Sequence, residues 1–387
     1  MPILNRAAEL QDEVTAWRRH LHQNPELNFN VFKTAEFVTE KLKEFGCDEV
    51  VGGIGRTGVV GVIKGSRGEG PVVGLRADMD ALPMTETSGV PHASTTSGAM
   101  HACGHDGHTA MLLGAAKYLA ETRNFAGAVA VIFQPAEEGG GGGNEMVKDG
   151  MMERFGIRSV YGLHNMPNMP VGSFAIKPGP IMASTAEFKV TITGKGGHAA
   201  MPHTAVDPIV AGAAMISALQ TIVSRSADPV EALVVTVTKF RAGQALNIIP
   251  ETAEFAGTVR TLKPELTELA RTRFHAICEG VAAAHGASVK IGFKPGYPVT
   301  VNHAEEAALA ADVAASVVGP AQVELNTRPV LGAEDFSYML LARPGAFIFM
   351  GNGPSANLHH PAYDFNDEAI PFGISYWAQL AERALAA

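Results

Sequence analysis

The sequence predicts an α/β protein in which a smaller α+β domain is inserted into a larger domain. Its 387 residues exceed the roughly 250 to 300 at which a single hydrophobic core stops growing. Strands alternate with helices in the first and last parts of the chain, a pattern typical of parallel sheets. The part between them has the order β-α-β-β-α-β, which is a module of its own. We therefore expect a discontinuous domain of residues 1–183 and 297–387 and an inserted domain of residues 184–296.

The first domain is predicted to begin with helices and to continue with strands. Helical spacing of apolar residues runs from about Asn5 to Phe45, with a turn at Asn24. The run VVGVIKGSRGEGPVVGLRADMD indicates two strands around a Gly-rich turn, and PVVGL is apolar enough for burial on both faces. Residues 108–122 then indicate a helix, and AGAVAVIFQP indicates a strand ending at Pro135. This order predicts a parallel sheet with ligands at the carboxyl ends of its strands.

The inserted segment has its own pattern of strands and helices. Strands are indicated by EFKVTIT, EALVVTVTKF, AEFAGTVRTL and ASVKIGFKPGYP, and helices by DPIVAGAAMISALQTIV and ELTELARTRFHAICEGVAAAHG. Their order predicts a ferredoxin-like fold, the split βαβ unit. Afterwards a helix (EEAALAADVAASVVG), the strand AFIFMG and a closing helix near Ile374 to Leu385 return to the first pattern. The module is therefore predicted to be an insertion.

Composition and charge exclude several classes of protein. The chain is 46% hydrophobic and 18% charged, as globular proteins are. Its net charge of −9 is spread without a basic stripe, which argues against nucleic acid as a partner. The three cysteines cannot form a disulfide framework and fit a reducing compartment. Because the sequence has neither a signal-peptide pattern nor an uncharged apolar run of about 18 residues, we expect a cytoplasmic protein with no membrane partner.

Side chains that can bind metal follow the predicted strands of the first domain. They are Asp78, Asp80, Cys103, His105, Glu137, Glu138, His164 and His359. Because the carboxyl ends of parallel strands meet at one edge of a sheet, we expect these side chains to converge. Thiolate, imidazole and carboxylate together suit zinc, cobalt, nickel or manganese in an open catalytic site. Of two adjacent glutamates, one can bind metal while the other exchanges a proton with water.

Each of these residues taken alone also has a simpler interpretation. A lone cysteine such as Cys103 is most often a small core residue, and two glutamates in series usually lie on a solvated surface. Cys103 could instead be a nucleophile with His105 or His108 as its base. The chain could also bind a metal or a ligand without catalysis. It is the joint occurrence of these residues that favours a catalytic metal site.

Nine segments of the sequence resemble the M20 metallopeptidases, in particular the amidohydrolase branch with hippurate hydrolases, aminoacylases and auxin-conjugate hydrolases. They are WRRHLHQNPEL, LRADMDALPMTE, MHACGHDGHTAMLLGAA, IFQPAEEGGGG, YGLHNMP, GKGGHAAMPHTAVDPI, LNIIPETAEFAGTVRT, GAEDFSYM and LHHPAYDFNDE. They follow the family's order over nearly the whole chain. The resemblance implies a three-layer, zinc-peptidase-like catalytic domain with an inserted domain that serves as a lid and in dimerisation.

The resemblance also implies the roles of the site residues. Two divalent ions (Mn, Zn, Ni or Co) would be bound by Cys103, His105, Glu138, His164 and His359. Glu137 would act as general base and acid on a metal-bridging water. The segment LHHPAYD departs from the family's single histidine, so His360 competes with the favoured His359. Asp80 would orient a ligand imidazole. Asp78 stands where other branches carry a histidine ligand, and that ligand role is lost here.

In the inserted domain the resemblance assigns three further residues. His198 would reach the neighbouring subunit's active site and help to hold the oxyanion, while Asn247 and Arg260 would contact the substrate's carboxylate. This implies a homodimer or a tetramer built through the inserted domain. The implied reaction is hydrolysis of the amide bond of N-acyl amino acids, either hippurate-like or N-acetylated. The alternatives within the family are a metallo-carboxypeptidase or dipeptidase and an N-acetyl-diaminopimelate deacetylase.

Overall fold

The computed structural model describes residues 3–386, which form two compact units. The first unit takes Met1–Ile181, Val301–Arg328 and Asp335–Ala387, and the second takes Met182–Thr300 and Pro329–Glu334. The second unit thus contains the segment expected as an insertion and adds a short piece from later in the chain. Each unit has its own hydrophobic core.

The first unit is built on a mixed sheet of eight strands. In spatial order these are Glu49–Ile54, Gly58–Lys64, Ala128–Gln134, Val72–Asp78, Ile157–Met166, Gly345–Gly351, Phe174–Ala175 and Val323–Glu324. The third to sixth strands of this order are parallel neighbours. Two short strands, Gly179–Met182 and Thr300–Asn302, lie outside this sheet. The four central parallel strands therefore bring their carboxyl ends to the same edge.

Helices pack against the strands of this sheet. Strands Ala128–Gln134 and Gly345–Gly351 are buried at every position, as their unbroken apolar sequences predict. The helices of the unit are Asn5–Glu9, Gln11–Gln23, Phe32–Glu44, His105–Thr122, Gly142–Lys148, Met151–Arg154, Ala304–Val318, Ser337–Ala342 and Ile370–Ala384. The long helix His105–Thr122 packs on the closing helix at Gly373, where an added Cβ would meet Met111 Sδ at 2.1 Å. The α/β class predicted from the sequence is confirmed, but the sheet is mixed and not wholly parallel as predicted, because Gly58–Lys64 pairs antiparallel with Ala128–Gln134.

The second unit contains a four-stranded antiparallel sheet and two helices. The strands lie in the spatial order Leu233–Ala242, Thr252–Thr261, Ser184–Thr193 and Ser288–Pro295, and the helices are Pro208–Thr221 and Pro264–Ala284. Alternate residues of Ser184–Thr193 are buried, so one face of the sheet packs on the core. Phe188 and Phe274 pack in that core with ring centroids 4.6 Å apart and ring planes tilted by 43°. A separate ribbon pairs Gly197–His198 with Ile248–Ile249.

Among the described residues, one helical segment is long and apolar enough to cross a membrane. This segment, Pro208–Ser226, passes the test by length and composition only. Ala211, Met215 and Leu219 on it are fully buried and belong to the hydrophobic core of the second unit. Core helices of globular domains have the same length and composition, so the segment is weak evidence for a membrane span.

The first unit differs from the sequence prediction in several elements, among them one strand and the start of one helix. Strand Glu49–Ile54 is not among the predicted strands, and it pairs antiparallel with Gly58–Lys64. Only Gly55, Arg56 and Thr57 connect these two strands, and a connection that short cannot make the crossover that parallel pairing requires. The helix predicted over 108–122 begins instead at His105.

We expect Phe274→Ala to destabilise the second unit by about 3–5 kcal/mol, because it leaves a cavity beside Phe188. Hydrogen exchange measured by mass spectrometry should accelerate within Met182–Thr300. Val230→Ala is a suitable control, since Val230 is 84% exposed. Unchanged exchange in the Phe274 variant would contradict this description of the core.

Candidate metal centre

The central parallel strands position the candidate ligands. Asp78 is the last residue of its strand, and His164 lies near the end of Ile157–Met166. Glu137 and Glu138 follow strand Ala128–Gln134, and His359 lies in the loop after Gly351. These strands are parallel neighbours, so the loops that follow them emerge at one edge of the sheet.

The structure brings the five predicted ligands together in two groups that share Cys103. One group is Cys103, His105 and His164, and the other is Cys103, Glu138 and His359. In each group the potential ligand atoms all lie within 4.8 Å of one another. Cys103 Sγ is 3.4 Å from His164 Nε2, and His359 Nε2 is 3.2 Å from Glu138 Oε1. Glu137 lies close to His105 and Glu138 in a third such group.

Gly104 determines where the ligand-bearing helix begins. Its φ of +87° is in the left-handed region that favours glycine. A Cβ at this position would meet Asn165 Nδ2 at 2.2 Å and the Tyr363 hydroxyl at 2.6 Å. The helix therefore starts at His105, and His105 and His108 stack one turn apart with ring centroids separated by 5.5 Å.

The buried environment of His105 suits a cation. Its Nε2 has no hydrogen-bond partner, and the nearest carboxylate oxygen, Asp78 Oδ2, is 3.7 Å away. Burial opposes protonation, but the negative charges of Asp78 and Cys103 outweigh it and raise the pKa of His105 well above its ordinary value. A buried ring nitrogen in a negative potential is the environment in which a divalent ion replaces the proton. The residues present therefore fit a metal ion.

The buried environment of Cys103 argues against an activated nucleophile. Burial and the nearby charge of Glu138 raise the pKa of the Cys103 thiol. Reactive cysteines have the opposite property, a depressed pKa in an electropositive environment. Hydrogen bonds to Cys103 and Glu138 raise the pKa of His359 to about 10. A bound cation would reverse this balance, since it stabilises the thiolate and the neutral imidazole.

The backbone distinguishes His359 from His360. His359 has a φ of +63°, which is costly for a residue with a Cβ, and its N–H donates to the Ala102 carbonyl at 2.8 Å. This conformation places its Nε2 beside Glu138. The neighbouring His360 instead accepts a hydrogen bond at Nδ1 from the Ala362 N–H. The placement favours His359 as the ligand.

Asp80 contacts the candidate ligand His105 mainly through its backbone, while its carboxylate Oδ1 lies 3.8 Å from His105 Nδ1. His105 Nδ1 donates to the Asp80 backbone carbonyl at 2.8 Å. The Asp80 carboxylate accepts the N–H groups of Glu137 at 2.8 Å and Glu138 at 3.1 Å. Since a carbonyl can only accept, His105 must carry its proton on Nδ1, which leaves Nε2 available for metal. Asp80 thus positions both the imidazole and the turn that carries the two glutamates.

Several buried residues at the site were not predicted from the sequence. His108, expected to begin a helix or to act as the base of a Cys103 nucleophile, donates from Nδ1 to Asp78 Oδ1 at 2.7 Å. Arg76 contacts the other Asp78 oxygen at 2.9 Å and Asp335 at 3.1 Å. Asn165 contacts His108 at Nε2. A signal existed for Arg76, because an arginine within the apolar strand VVGLRAD requires a buried anionic partner.

A second buried network holds the start of the ligand-bearing helix. Asp106 Oδ2 lies 2.8 Å from His22 Nδ1 and 3.5 Å from Arg18. His22 Nε2 lies 3.2 Å from Glu86. Burial opposes the charge on His22, but Asp106 and Glu86 together raise its pKa to about 10. Asp106 therefore anchors the helix to the N-terminal helices instead of contacting a ligand side chain.

The remaining predicted residues lie in the second unit. His198 and Ile248 are register partners in the short ribbon, and the Ala199 N–H donates to the Asn247 carbonyl at 3.0 Å. His198 and Asn247 are both exposed. Arg260 is half-buried on strand Thr252–Thr261 and donates to the Val259 carbonyl and the Thr258 hydroxyl. The ribbon thus brings His198 and Asn247 together, and the roles of all three residues stay predictions.

Comparison with known proteins identifies the family. Residues 74–383 match the sequence profile of Peptidase family M20/M25/M40. The chain is 43% identical to a hippurate hydrolase of Campylobacter jejuni over 385 residues, which cover 100% of both chains. It belongs to peptidase family M20. An N-acetyl-L-cysteine deacetylase of Bacillus subtilis is 41% identical over 97% of this chain and 89% of that one.

A solved structure agrees with this family assignment. The YXEP protein of Bacillus subtilis, described as a dinuclear metal binding peptidase from the M20 family, matches with a TM-score of 0.86 and 35% identity. The match covers 98% of this chain and 99% of that one. Membership of the M20 family and the ligand groups around Cys103 together support binding of divalent metal ions by this chain.

Replacing Asp80 by asparagine should displace the two glutamates, because one amide N–H₂ would face a backbone N–H. We expect kcat/KM to fall by about 10- to 100-fold and the metal retained after dialysis to decrease. Asp149→Asn is the matched control, since Asp149 accepts the Gly55 N–H at 2.7 Å and contacts none of the predicted ligands. Wild-type metal content and kcat/KM in Asp80→Asn would contradict the positioning role.

Proposed function

We propose that this M20 protein is a metal-dependent hydrolase of the amide bond in N-acyl amino acids. The observation that carries the proposal is the grouping of five metal-binding side chains around Cys103, with Glu137 beside them. Similarity to a hippurate hydrolase and to an N-acetyl-L-cysteine deacetylase over nearly the whole chain supports the same reaction class. Both relatives are named for substrates in which an acyl group is joined to an amino acid.

We propose that the site holds two divalent ions, of Mn, Zn, Ni or Co. Cys103, His105 and His164 would hold one ion, while Glu138 and His359 would hold the other together with Cys103. Bound there, the ions would supply Lewis-acid chemistry, acidifying a water and polarising the substrate carbonyl. The mixed sulfur, nitrogen and oxygen donors suit all four metals, so the donor set does not select among them.

Glu137 is the proton carrier of the proposed reaction. It is 7% exposed, and the Asp80 carboxylate fixes its backbone N–H. Its carboxylate takes a proton from the attacking water as the new C–O bond forms. It then gives the proton to the amide nitrogen as the C–N bond breaks. The products are a carboxylate and a free amino acid, so atoms and protons balance.

The second unit would supply substrate recognition. His198 is suited to donate a hydrogen bond to the oxyanion, and Asn247 and Arg260 to hold the substrate's carboxylate. A guanidinium is matched to a carboxylate because it can donate two parallel hydrogen bonds. We favour hippurate-like or N-acetyl amino acids as substrates, since both carry this carboxylate beside the scissile amide.

The domain roles follow from the same proposal. Residues 1–183 and 297–387 would form the three-layer catalytic domain, and residues 184–296 a ferredoxin-like lid that also forms a homodimer or tetramer. The order of strands and helices in the second unit supports the ferredoxin-like assignment. Cys47, Cys103 and Cys278 are all free thiols, which supports a reducing, cytoplasmic location.

Glu137→Gln should abolish most of the activity while metal stays bound. We expect kcat to fall by about 10²- to 10⁴-fold, the range for a positioned general base. Glu138→Gln is the matched comparison, because losing a ligand should also lower the metal content measured by elemental analysis. A near-normal kcat in Glu137→Gln would refute the role of Glu137.

The metal and thiol mechanisms predict different responses to chelation. We expect a chelator to abolish activity and a divalent metal to restore it, whereas a thiol hydrolase with Cys103 as nucleophile would keep its activity. Activity that survives complete removal of metal would exclude the proposed mechanism.

Substrate class can be tested with the metal-reconstituted enzyme. Benzoylglycine and N-acetylmethionine should give a kcat/KM at least about 10-fold above that for dipeptides or N-acetyl-diaminopimelate. A preference for dipeptides would instead assign a carboxypeptidase or dipeptidase activity. Preference for N-acetyl-diaminopimelate would assign the deacetylase. Turnover of none of these compounds by the metal-loaded protein would favour a non-catalytic binding protein.

A further inference from the structure

Asn165 lies where three ligand-bearing segments meet. It follows His164 directly on strand Ile157–Met166 and is fully buried. Its side-chain Nδ2 donates to the Cys103 carbonyl at 2.7 Å. Its Oδ1 accepts from the Tyr363 hydroxyl at 2.6 Å, and Tyr363 belongs to the loop that carries His359. One amide therefore links the segments of Cys103, His164 and His359.

The backbone of Asn165 fixes two imidazoles. His164 Nδ1 donates to the Asn165 carbonyl at 2.7 Å. Because a carbonyl only accepts, the proton of His164 lies on Nδ1, and Nε2 faces Cys103 Sγ with its lone pair available. The Asn165 N–H donates to His108 Nε2 at 2.9 Å, which leaves the Nδ1 proton of His108 for Asp78.

The surroundings of Asn165 leave little room for movement. Gly104 has no Cβ, which allows Asn165 Nδ2 and the Tyr363 hydroxyl to approach the chain between Cys103 and His105. Tyr363 is itself fully buried, and the N–H of the same residue donates to the His360 carbonyl at 2.9 Å. The His359 N–H adds a bond to the Ala102 carbonyl. A shift of the amide would therefore change the spacing of all three ligands.

We propose that Asn165 is a positioning residue that sets the spacing of Cys103, His164 and His359, and thereby the affinity and geometry of metal binding. It acts through the ligands and is not itself a ligand or a group that touches substrate. The inference rests on the proposed function only in that these three residues bind metal. Partners that orient metal ligands commonly change affinity or activity by about 10- to 100-fold when they are removed.

Asn302 is a matched control within the same unit. It is 2% exposed, donates from Nδ2 to the carbonyls of Lys177 and Phe347 at 2.9 Å, and accepts the Phe347 N–H at 2.6 Å. Like Asn165 it is a buried amide with both ends bonded. None of its bonds reaches the candidate ligands. Loss of either amide should lower stability, and only loss of Asn165 should alter the metal site.

The test titrates Co²⁺ into the metal-free full-length protein and its variants Asn165→Ala, Tyr363→Phe and Asn302→Ala. Affinity is measured by calorimetry, and the thiolate-to-cobalt band by absorption spectroscopy. We expect Asn165→Ala to bind Co²⁺ about 10- to 100-fold more weakly, with an altered band at saturation. Tyr363→Phe, which removes one hydroxyl and keeps the ring, should shift affinity and band in the same direction. Asn302→Ala should match the wild type in both.

The outcomes separate this inference from the proposed function. Wild-type protein that gives no thiolate-to-cobalt band would refute the metal site itself. A normal wild-type band combined with wild-type affinity and spectrum in both Asn165→Ala and Tyr363→Phe would overturn the positioning role alone. Should Asn165→Ala fail to fold, Tyr363→Phe decides the question. Equal changes in Asn302→Ala and Asn165→Ala would reduce the effect to general destabilisation and would also overturn the inference.

Discussion

The candidate metal centre depends on the parallel pairing of four strands in the middle of one sheet. Parallel strands end at the same edge, so segments far apart in the chain can place polar side chains in one small volume. The side chains of Cys103, His105 and His164 are buried in this volume. Each buried polar atom then needs a partner within the protein or a bound ion. The hydrogen bonds of Asp78, Asp80 and Asn165 provide such partners within the protein.

The candidate metal centre contains many charged side chains and two strained backbone conformations. Ala136, which directly precedes Glu137, has a positive φ angle. The candidate ligand His359 also has a positive φ angle. Such conformations cost free energy and persist where surrounding contacts impose them. For His359 the contact is the bond from its N–H to Ala102, and for the glutamates it is the Asp80 carboxylate. The fold thus loses some stability in order to hold a few side chains in a fixed geometry.

The sequence predicted the convergence of the candidate ligands better than it predicted the residues that hold them in place. Cys103, His105, Glu138 and His164 are chemically distinctive and follow apolar strands, so both their chemistry and their convergence could be inferred. The roles of Asn165 and His108 depend on partners that are distant in the chain, and no local pattern encodes those contacts. The antiparallel strand Glu49–Ile54 was missed because its sequence, EVVGGI, is half-exposed and rich in glycine. Asp80 lies beside the candidate ligand His105, and which of its atoms makes that contact is not encoded in any local sequence pattern.

The discontinuity of the first unit has a consequence for how the protein is made. Strand Gly345–Gly351 lies between Ile157–Met166 and Phe174–Ala175 in the sheet, yet it is synthesised after the whole of the second unit. The second unit can therefore complete its four-stranded sheet on the ribosome while the first still lacks a central strand. Until that strand and the His359 loop leave the ribosome, the sheet has an unpaired strand edge that is buried in the finished protein. The set of candidate ligands is also incomplete. An unpaired edge of this kind favours aggregation, so the interval before Gly345–Gly351 joins the sheet is the one in which the nascent chain is most exposed to it.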